Sequence, residues 1–168
     1  MKKLLITGPE SSGKTFLANE ISKILDGELV KEYAREYLSE QIGYKEKDLT
    51  HIAKQQSLQE FEAFNSATNL VVCDTGIEVI CIWSQEKFGK VASKIQNLLN
   101  LEKYDLILLC KPNIPWEADE LREHPYQRDY LFDIYVKFLE YYKVSYFVID
   151  EDLNKRTQQA LAYVSNIK

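Results

Sequence analysis

The sequence has no apolar stretch long enough to be a targeting or membrane segment. Its first apolar run, Leu4–Ile6, stops at Thr7, whereas a secretory signal needs about 7–15 apolar residues and a membrane-spanning helix about 20. We therefore expect a cytoplasmic protein that has no membrane partner.

The sequence also has few cysteines and histidines, and it has no excess of basic charge. The three cysteines, Cys73, Cys81 and Cys110, have no C-x-x-C spacing, and the two histidines share no spacing with them. A zinc site is therefore not expected. Acidic side chains outnumber basic ones by 26 to 21 and the net charge is −5, so we expect no nucleic-acid partner, which would need a basic surface.

What is present is an ordinary globular composition, with 45% hydrophobic and 28% charged residues. A length of 168 residues predicts one domain, residues 1–168, with a sizeable core. Short apolar runs alternate with segments of helical spacing, which predicts an α/β fold: an open parallel sheet of about five strands with helices on both faces. One long helix is predicted over about residues 48–67, with Ile52, Phe61 and Phe64 facing inward.

One motif near the amino terminus is more specific than the rest. The stretch Gly8–Thr15 matches G-x-x-x-x-G-K-[ST], after an apolar run suited to a buried strand and before apolar residues at helical spacing. In that context the loop surrounds phosphate oxygens with backbone N–H groups, at the positive end of a helix dipole. A glycine turn that only caps a helix is the alternative. The candidate nucleotide-binding residues are Gly8, Glu10, Ser11, Ser12, Gly13, Lys14 and Thr15.

The motif also predicts which residues neutralise the charge of the phosphates. Lys14 is expected to reach the β- and γ-phosphates, and the Thr15 hydroxyl is a candidate ligand for Mg²⁺. The continuous apolar run Leu70–Asp74 predicts a buried strand beside the loop, and its terminal carboxylate, Asp74, can hold Mg²⁺ directly or through water. The tripeptide that starts at Asp74 also matches the aspartic-protease motif, but those enzymes need two such aspartates.

A polar and aromatic patch follows the predicted second strand. It reads Glu-Tyr-Ala-Arg-Glu-Tyr from Glu32 to Tyr37. Because α/β sheets bind ligands beyond the carboxyl ends of their strands, the patch is a candidate substrate site. A solvated helix turn, with the tyrosines on one face and the glutamates on another, is the alternative.

A second candidate segment, residues 111–128, follows the third long apolar run and contains three prolines, which predicts a structured lid. A kinase must keep water from the transferring phosphoryl group, and a movable loop that brings arginines also neutralises charge there. Arg122 and Arg128 are the candidates. Their alternative is surface pairing with carboxylates such as Asp119 or Asp129.

Missing motifs disfavour other nucleotide-binding classes. A GTPase switch needs D-x-x-G, whereas Asp74 is followed by Gly76 and Ile77, and no Asn-Lys-x-Asp guanine-recognition motif occurs. An AAA+ motor module is expected to be longer than 168 residues. A small-molecule kinase is therefore the favoured interpretation, and a nucleotide-dependent regulatory or ATPase module is the alternative.

Four motifs, in order between about Leu4 and Asp150, together resemble the ribosylnicotinamide-kinase domain of NadR-type proteins, an AAA-like ATPase-kinase family of NAD metabolism. They are Gly8–Thr15, Glu32–Tyr37, Asp74-Thr75, and Pro115-Trp116 with Ala118-Asp119 through Arg122. The resemblance implies transfer of the γ-phosphoryl group of ATP, with Mg²⁺, to the 5′-hydroxyl of nicotinamide riboside. It implies the catalytic residues Lys14, Asp74, Glu32, Glu36, Arg122 and Arg128, and the substrate-binding residues Tyr33, Arg35, Glu36 and Asp119.

Two departures from the family pattern bear on these expectations. Lys31 stands where the family motif has a tryptophan before the patch, so the identity of the acceptor stays open. The His-x-Gly-His motif of an adenylyltransferase is not present, so the kinase part alone is expected. The base of the nucleotide donor, the oligomeric state and the choice of general base among Glu32, Glu36 and Asp74 also stay open.

Overall fold

Five short strands correspond to apolar runs of the sequence, and the computed structural model describes residues 1–39, 43–116 and 127–166. The strands are β1 (Lys2–Thr7), β2 (Glu28–Val30), β3 (Leu70–Asp74), β4 (Leu106–Cys110) and β5 (Phe147–Ile149). The helices are α1 (Lys14–Ile24), α2 (Tyr33–Leu38), α3 (Glu46–Ser66), α4 (Ile77–Phe88), α5 (Ser93–Gln96), α6 (Arg128–Tyr141) and α7 (Leu153–Val164). Within those three ranges, no helix is both long and apolar enough to cross a bilayer.

All five strands pair in parallel, in the order β2-β3-β1-β4-β5. Alternate side chains of each strand enter different cores, as the two-residue repeat of a strand requires. In β1, Leu4 and Ile6 pack with α1 and α7, whereas Leu5 packs on the other face with α3, α4 and α6. The predicted open parallel sheet with helices on both faces is confirmed.

The long helix α3 buries polar side chains where the sequence predicted an aromatic one. Ile52 is buried as predicted, but Phe61 is 64% exposed, and its predicted inward orientation is wrong. The buried stripe of the helix passes instead through Gln56 and Glu60, which are 2% and 1% exposed. Because both side chains have specific partners on neighbouring elements, they occupy the inner face and leave Phe61 outside it.

The register of the sheet brings the loops after four strands to the same edge. Ile6 lies opposite Asp74 across the β1–β3 pair, and Val30 lies opposite Cys73 across the β2–β3 pair. In the same way, Thr7 lies opposite Leu109 across the β1–β4 pair. The segments that follow β1, β2, β3 and β4 therefore start next to one another, where parallel α/β sheets bind their ligands.

Two buried carboxylates lie on α3 and α4, which pack on the same face of the sheet. Glu60 forms an ion pair with Lys103 and accepts a hydrogen bond from the Tyr104 hydroxyl at 2.9 Å. Glu78, fully buried in the first turn of α4, accepts a hydrogen bond from the Gly76 N–H at 3.1 Å. Burial raises the pKa of Glu78 to about 7, so this carboxyl titrates far from its ordinary value of 4.5.

Glu78→Gln is expected to remove the pH dependence that this carboxyl contributes to stability. Because the pKa is raised in the folded state, the contribution is complete below about pH 4.5 and is lost as the pH rises to about 7. The loss is at most about 3 kcal/mol, at about 1.4 kcal/mol per pKa unit. Urea unfolding of both proteins at about pH 5 and about pH 8 measures it. Equal pH dependence of the two free energies of unfolding would contradict the prediction.

Candidate active site

The phosphate-loop motif connects β1 to α1, and two glycines determine its shape. Gly8 has a φ of 139° and Gly13 a φ of 79°, values that residues with a Cβ rarely adopt. A Cβ at Gly8 would also lie 2.5 Å from the carbonyl oxygen of Cys110, so the loop packs directly on the end of β4. Gly13 immediately precedes α1, which places the loop at the positive end of that helix dipole.

Three cationic side chains bind carbonyl oxygens of this loop. The pairs are Lys14 Nζ with the Pro9 oxygen at 2.8 Å, Arg128 Nη1 with the Ser11 oxygen at 3.2 Å, and Arg156 Nη1 with the Ser12 oxygen at 2.5 Å. Among the other predicted members, Glu10 is half-buried and Thr15 is exposed. The Ser12 hydroxyl is buried and has no hydrogen-bond partner among the described residues. The loop thus combines positive charge with an unsatisfied polar group.

Asp74 lies beside the loop, as the sequence predicted. The N–H of Thr75 donates to the Ile6 carbonyl at 3.0 Å, which continues the β1–β3 pairing up to the start of the loop. Burial raises the pKa of the Asp74 carboxyl, and the opposing influences are the charge of Lys14, a hydrogen bond from Thr15 and the charge of Arg35. The carboxylate therefore faces the two residues that end the phosphate-loop motif.

Asp74 and Thr15 have the chemistry that Mg²⁺ requires. Asp74 Oδ1 is buried and has no hydrogen-bond partner among the described residues. A carboxylate and a hydroxyl oxygen suit this hard cation, which takes only one or two protein ligands when phosphates and water supply the others. Accordingly, the described ranges contain no cluster of three or more His, Cys, Asp or Glu side chains that could hold a metal alone.

Glu32 is the residue of the patch that approaches the phosphate loop. It follows β2, immediately precedes α2, and accepts a hydrogen bond from Arg35 Nε at 3.1 Å. Burial raises the pKa of its carboxyl, the charges of Lys14 and Arg35 lower it, and the charge of Asp74 raises it further. Glu32, Lys14, Asp74 and Arg35 therefore form one electrostatic cluster. Glu36 and Lys31, in contrast, are exposed.

The rest of the patch is attached to α3. Because α2 has no side-chain cap, Gln56 of α3 accepts the hydrogen bond of the Tyr33 N–H at 2.8 Å. The rings of Tyr33 and Tyr37 stack with centroids 6.1 Å apart, and the Tyr37 ring lies 4.9 Å from that of His51. Tyr37 also donates to Asp48 Oδ1 at 3.3 Å. These contacts fix the orientation of the short helix that carries Arg35 and is preceded by Glu32.

The predicted lid is described only at its two ends. Asp119 and Arg122 lie outside the described residues. Arg128, the first residue of α6, donates to the Ile114 carbonyl at 2.8 Å in addition to its contact with the phosphate loop, and its guanidinium lies 5.6 Å from the Trp116 ring centroid. Arg128 thereby connects the start of the predicted lid segment to the phosphate-loop motif.

Two residues next to the site were missed by the sequence reasoning. Arg156, in α7, is fully buried and contacts the phosphate loop. Tyr135, in α6, is 3% exposed, and burial together with the charges of Glu78, Glu32 and Glu10 raises the pKa of its hydroxyl well above the ordinary value. Tyr135 recurs with Leu131 and Leu139 at helical spacing, a pattern that indicates a core position and gives no sign of a site.

Comparison with known proteins gives a consistent assignment. The AAA domain family matches residues 3–156. The chain is 26% identical over 159 residues to the trifunctional NAD biosynthesis/regulator protein NadR of Escherichia coli, which covers 90% of this chain and 39% of that protein. A crystal structure of NadR in complex with NR has a TM-score of 0.81 at 21% identity, over 99% of this chain and 51% of that one. A deoxyadenosine kinase from M. mycoides has a TM-score of 0.69 at 18% identity, over 98% of this chain and 100% of that one.

The chain thus spans about 39% of the curated relative and about half of the solved NadR chain. The structural neighbours support the P-loop fold, and the resemblance to NadR-type proteins that the four motifs predicted is confirmed. Because the family match lies within residues 3–156, the length of the chain does not exclude an AAA-type domain. By this match over most of its length, the chain belongs to the AAA domain family.

Proposed function

We propose that the chain transfers the γ-phosphoryl group of ATP to a hydroxyl of a small nucleoside-like metabolite, and that this metabolite is nicotinamide riboside. The observation that carries the proposal is the cluster of Glu32 with Lys14 and Asp74 beside the phosphate loop. A protein that only binds a triphosphate needs the loop and its lysine. A kinase also needs a carboxylate at the acceptor side of the γ-phosphate, and Glu32 meets that need.

At the phosphates, the loop N–H groups and Lys14 bind the triphosphate and balance its charge. Thr15 and Asp74 would hold a Mg²⁺ ion, whose chemistry there is to neutralise charge on phosphate oxygens. The buried Ser12 hydroxyl, which has no partner among the described residues, belongs to a loop suited to oxygen-rich anions. Arg122 and Arg128 of the lid segment would close over the transferring group and exclude water.

On the acceptor side, Glu32 is the general base of the proposal. Burial raises the pKa of its carboxyl, which makes the carboxylate a stronger base, and Arg35 holds the carboxylate in a fixed orientation. Glu36 and Tyr33 lie farther along α2 and would contact the nucleoside, as would Asp119 from the lid. The acidic charge and the aromatic faces of this patch suit the cationic ring of nicotinamide riboside.

The similar proteins give separate support to nicotinamide riboside as the proposed acceptor. The solved NadR chain is described in complex with NR, and the curated relative is a protein of NAD biosynthesis and its regulation. The alternative, an ATP-binding regulatory or ATPase module without an acceptor, is supported by the AAA domain match. Turnover that depends on an acceptor distinguishes the two functions.

Purified protein with ATP, Mg²⁺ and nicotinamide riboside is expected to release ADP with saturable dependence on the riboside. Lys14→Ala should lower this rate at least about 100-fold, because the lysine stabilises charge that shifts in the transition state. A coupled assay of ADP release measures both rates. Circular dichroism of the variant serves as the control for folding.

Two other results of this assay would separate the parts of the proposal. Saturable turnover with a neutral nucleoside and none with nicotinamide riboside would refute the acceptor and retain the kinase. ADP release at one rate with every acceptor and with none would favour the ATPase module.

Glu32→Gln is expected to lower kcat by at least about 100-fold while ATP still binds, since a general base contributes about that much. Glu36→Gln, four residues away on the exposed side of α2, is the matched control. It should raise KM for the acceptor and change kcat less than about threefold. Steady-state kinetics of the two variants test this difference, and a larger kcat effect at Glu36 would reverse the assignment.

Lys31→Trp is expected to lower KM for nicotinamide riboside by about threefold or more. The change removes a positive charge next to the patch and adds an aromatic face that attracts a cationic ring. KM for a neutral nucleoside should change less. Lys23→Trp, on the exposed side of α1, controls for the added tryptophan. An equal effect on both acceptors would show that Lys31 does not contact the ring.

A further inference from the structure

Arg156 is a cation that is fully buried among neutral groups. Its side chain is 0% exposed, yet its hydrogen bonds go to carbonyl and amide oxygens. The acceptors are the carbonyl oxygens of Glu151, Lys111 and Ser12 and the side-chain oxygen of Asn113. Among the described residues, no carboxylate forms an ion pair with it, and Asp150 and Asp152 act only through their more distant charges.

A buried charge without a contacting counter-ion is costly, and this one lies behind a loop built for a polyanion. An arginine keeps its charge in proteins, so the guanidinium contributes positive potential to the phosphate loop. That contribution is realised fully only when phosphate groups are present. The charge that is costly in the free protein therefore favours binding of the triphosphate.

The geometry of the contact adds a second effect. The peptide group is planar and nearly always trans, so its N–H points opposite to its carbonyl. When Arg156 holds the Ser12 oxygen, the N–H of Gly13 is held pointing away from the arginine. Gly13 precedes the first turn of α1, where free N–H groups bind anions. The arginine thereby orients a phosphate-binding donor that it does not itself touch.

The same side chain reaches the other side of the nucleotide site. Its Nη2 donates to the Lys111 carbonyl at 2.7 Å and to the Asn113 side chain, at the start of the lid segment. Asn113 in turn donates to the Asp150 carbonyl, beyond β5. The loops after β1, β4 and β5 are therefore joined through one guanidinium.

We propose that Arg156 is a positioning residue for the triphosphate: it orients the Ser12–Gly13 peptide, adds positive potential behind the loop, and joins the loop to the base of the lid. The inference rests on one part of the proposed function, which is that the phosphate loop binds ATP. Arg156 is not expected to contact the acceptor.

The experiment measures binding of a non-hydrolysable ATP analogue with Mg²⁺ by titration calorimetry, well below the unfolding midpoint of each variant. Arg156→Met should weaken binding at least about tenfold, and Arg156→Lys, which keeps the charge, should weaken it less. Asn113→Ala, an exposed site with little risk to folding, should weaken binding about threefold. Inorganic tripolyphosphate should show the same order, because the effect concerns phosphate and not the base.

The matched control is Ala160→Gly, a buried position of α7 that lowers stability without contacting the loop. Its affinity for the analogue should equal that of the wild type. In turnover, the Arg156 and Asn113 variants should raise KM for ATP and leave KM for the acceptor unchanged, a difference that simple destabilisation does not produce.

Wild-type affinity in both Arg156→Lys and Asn113→Ala would overturn the proposal, even if Arg156→Met failed to fold. Equal weakening by Ala160→Gly would overturn it too. A wild-type protein that binds the analogue but phosphorylates no acceptor would refute the kinase alone, because the order of affinities still tests Arg156. A wild-type protein that binds no triphosphate would refute both.

Discussion

The parallel pairing of β1 with β3 and β4 is the constraint on which the site depends. It places Asp74 opposite Ile6 and lets Gly8 pack against the Cys110 carbonyl, so the phosphate loop starts between two strand ends. The pairing of β2 with β3 then brings Glu32 to the same edge. The ladder hydrogen bonds of the sheet determine which loops meet, and contacts between the loops and helices then orient the side chains.

The charged side chains of the site lie around the carboxyl edge of the sheet. Cationic side chains hold carbonyl oxygens of the loop, whereas the carboxylates lie close enough that the charge of Asp74 raises the pKa of Glu32. Two buried acids next to a lysine form an arrangement that a polyanion and its metal can complete. Asp74 Oδ1 and the Ser12 hydroxyl, which lack hydrogen-bond partners among the described residues, are atoms that such a ligand would satisfy.

The sequence predicted those features that depend on residues close together in the chain. The apolar runs gave the strands, and the spacing of Gly8 and Gly13 gave the loop, because each depends on neighbours in sequence. The inward positions of Gln56 and Glu60 depended on partners 23 and 44 residues away, so periodicity alone predicted Phe61 instead. The separation of Arg156 from the loop is 144 residues, and no local pattern indicates such a contact.

The separation of 144 residues between Ser12 and Arg156 also affects when the site forms during protein synthesis. The loop at residues 8–15 is synthesised well before the helix that carries Arg156, because Arg156 lies 144 residues after Ser12 in the chain. Until that helix docks, the Ser12 carbonyl has no guanidinium to hold it. Since chains lengthen by about 5–20 residues per second, about 7–30 seconds separate the two events. A nascent chain would then acquire its full affinity for triphosphate only when the helix that carries Arg156 docks.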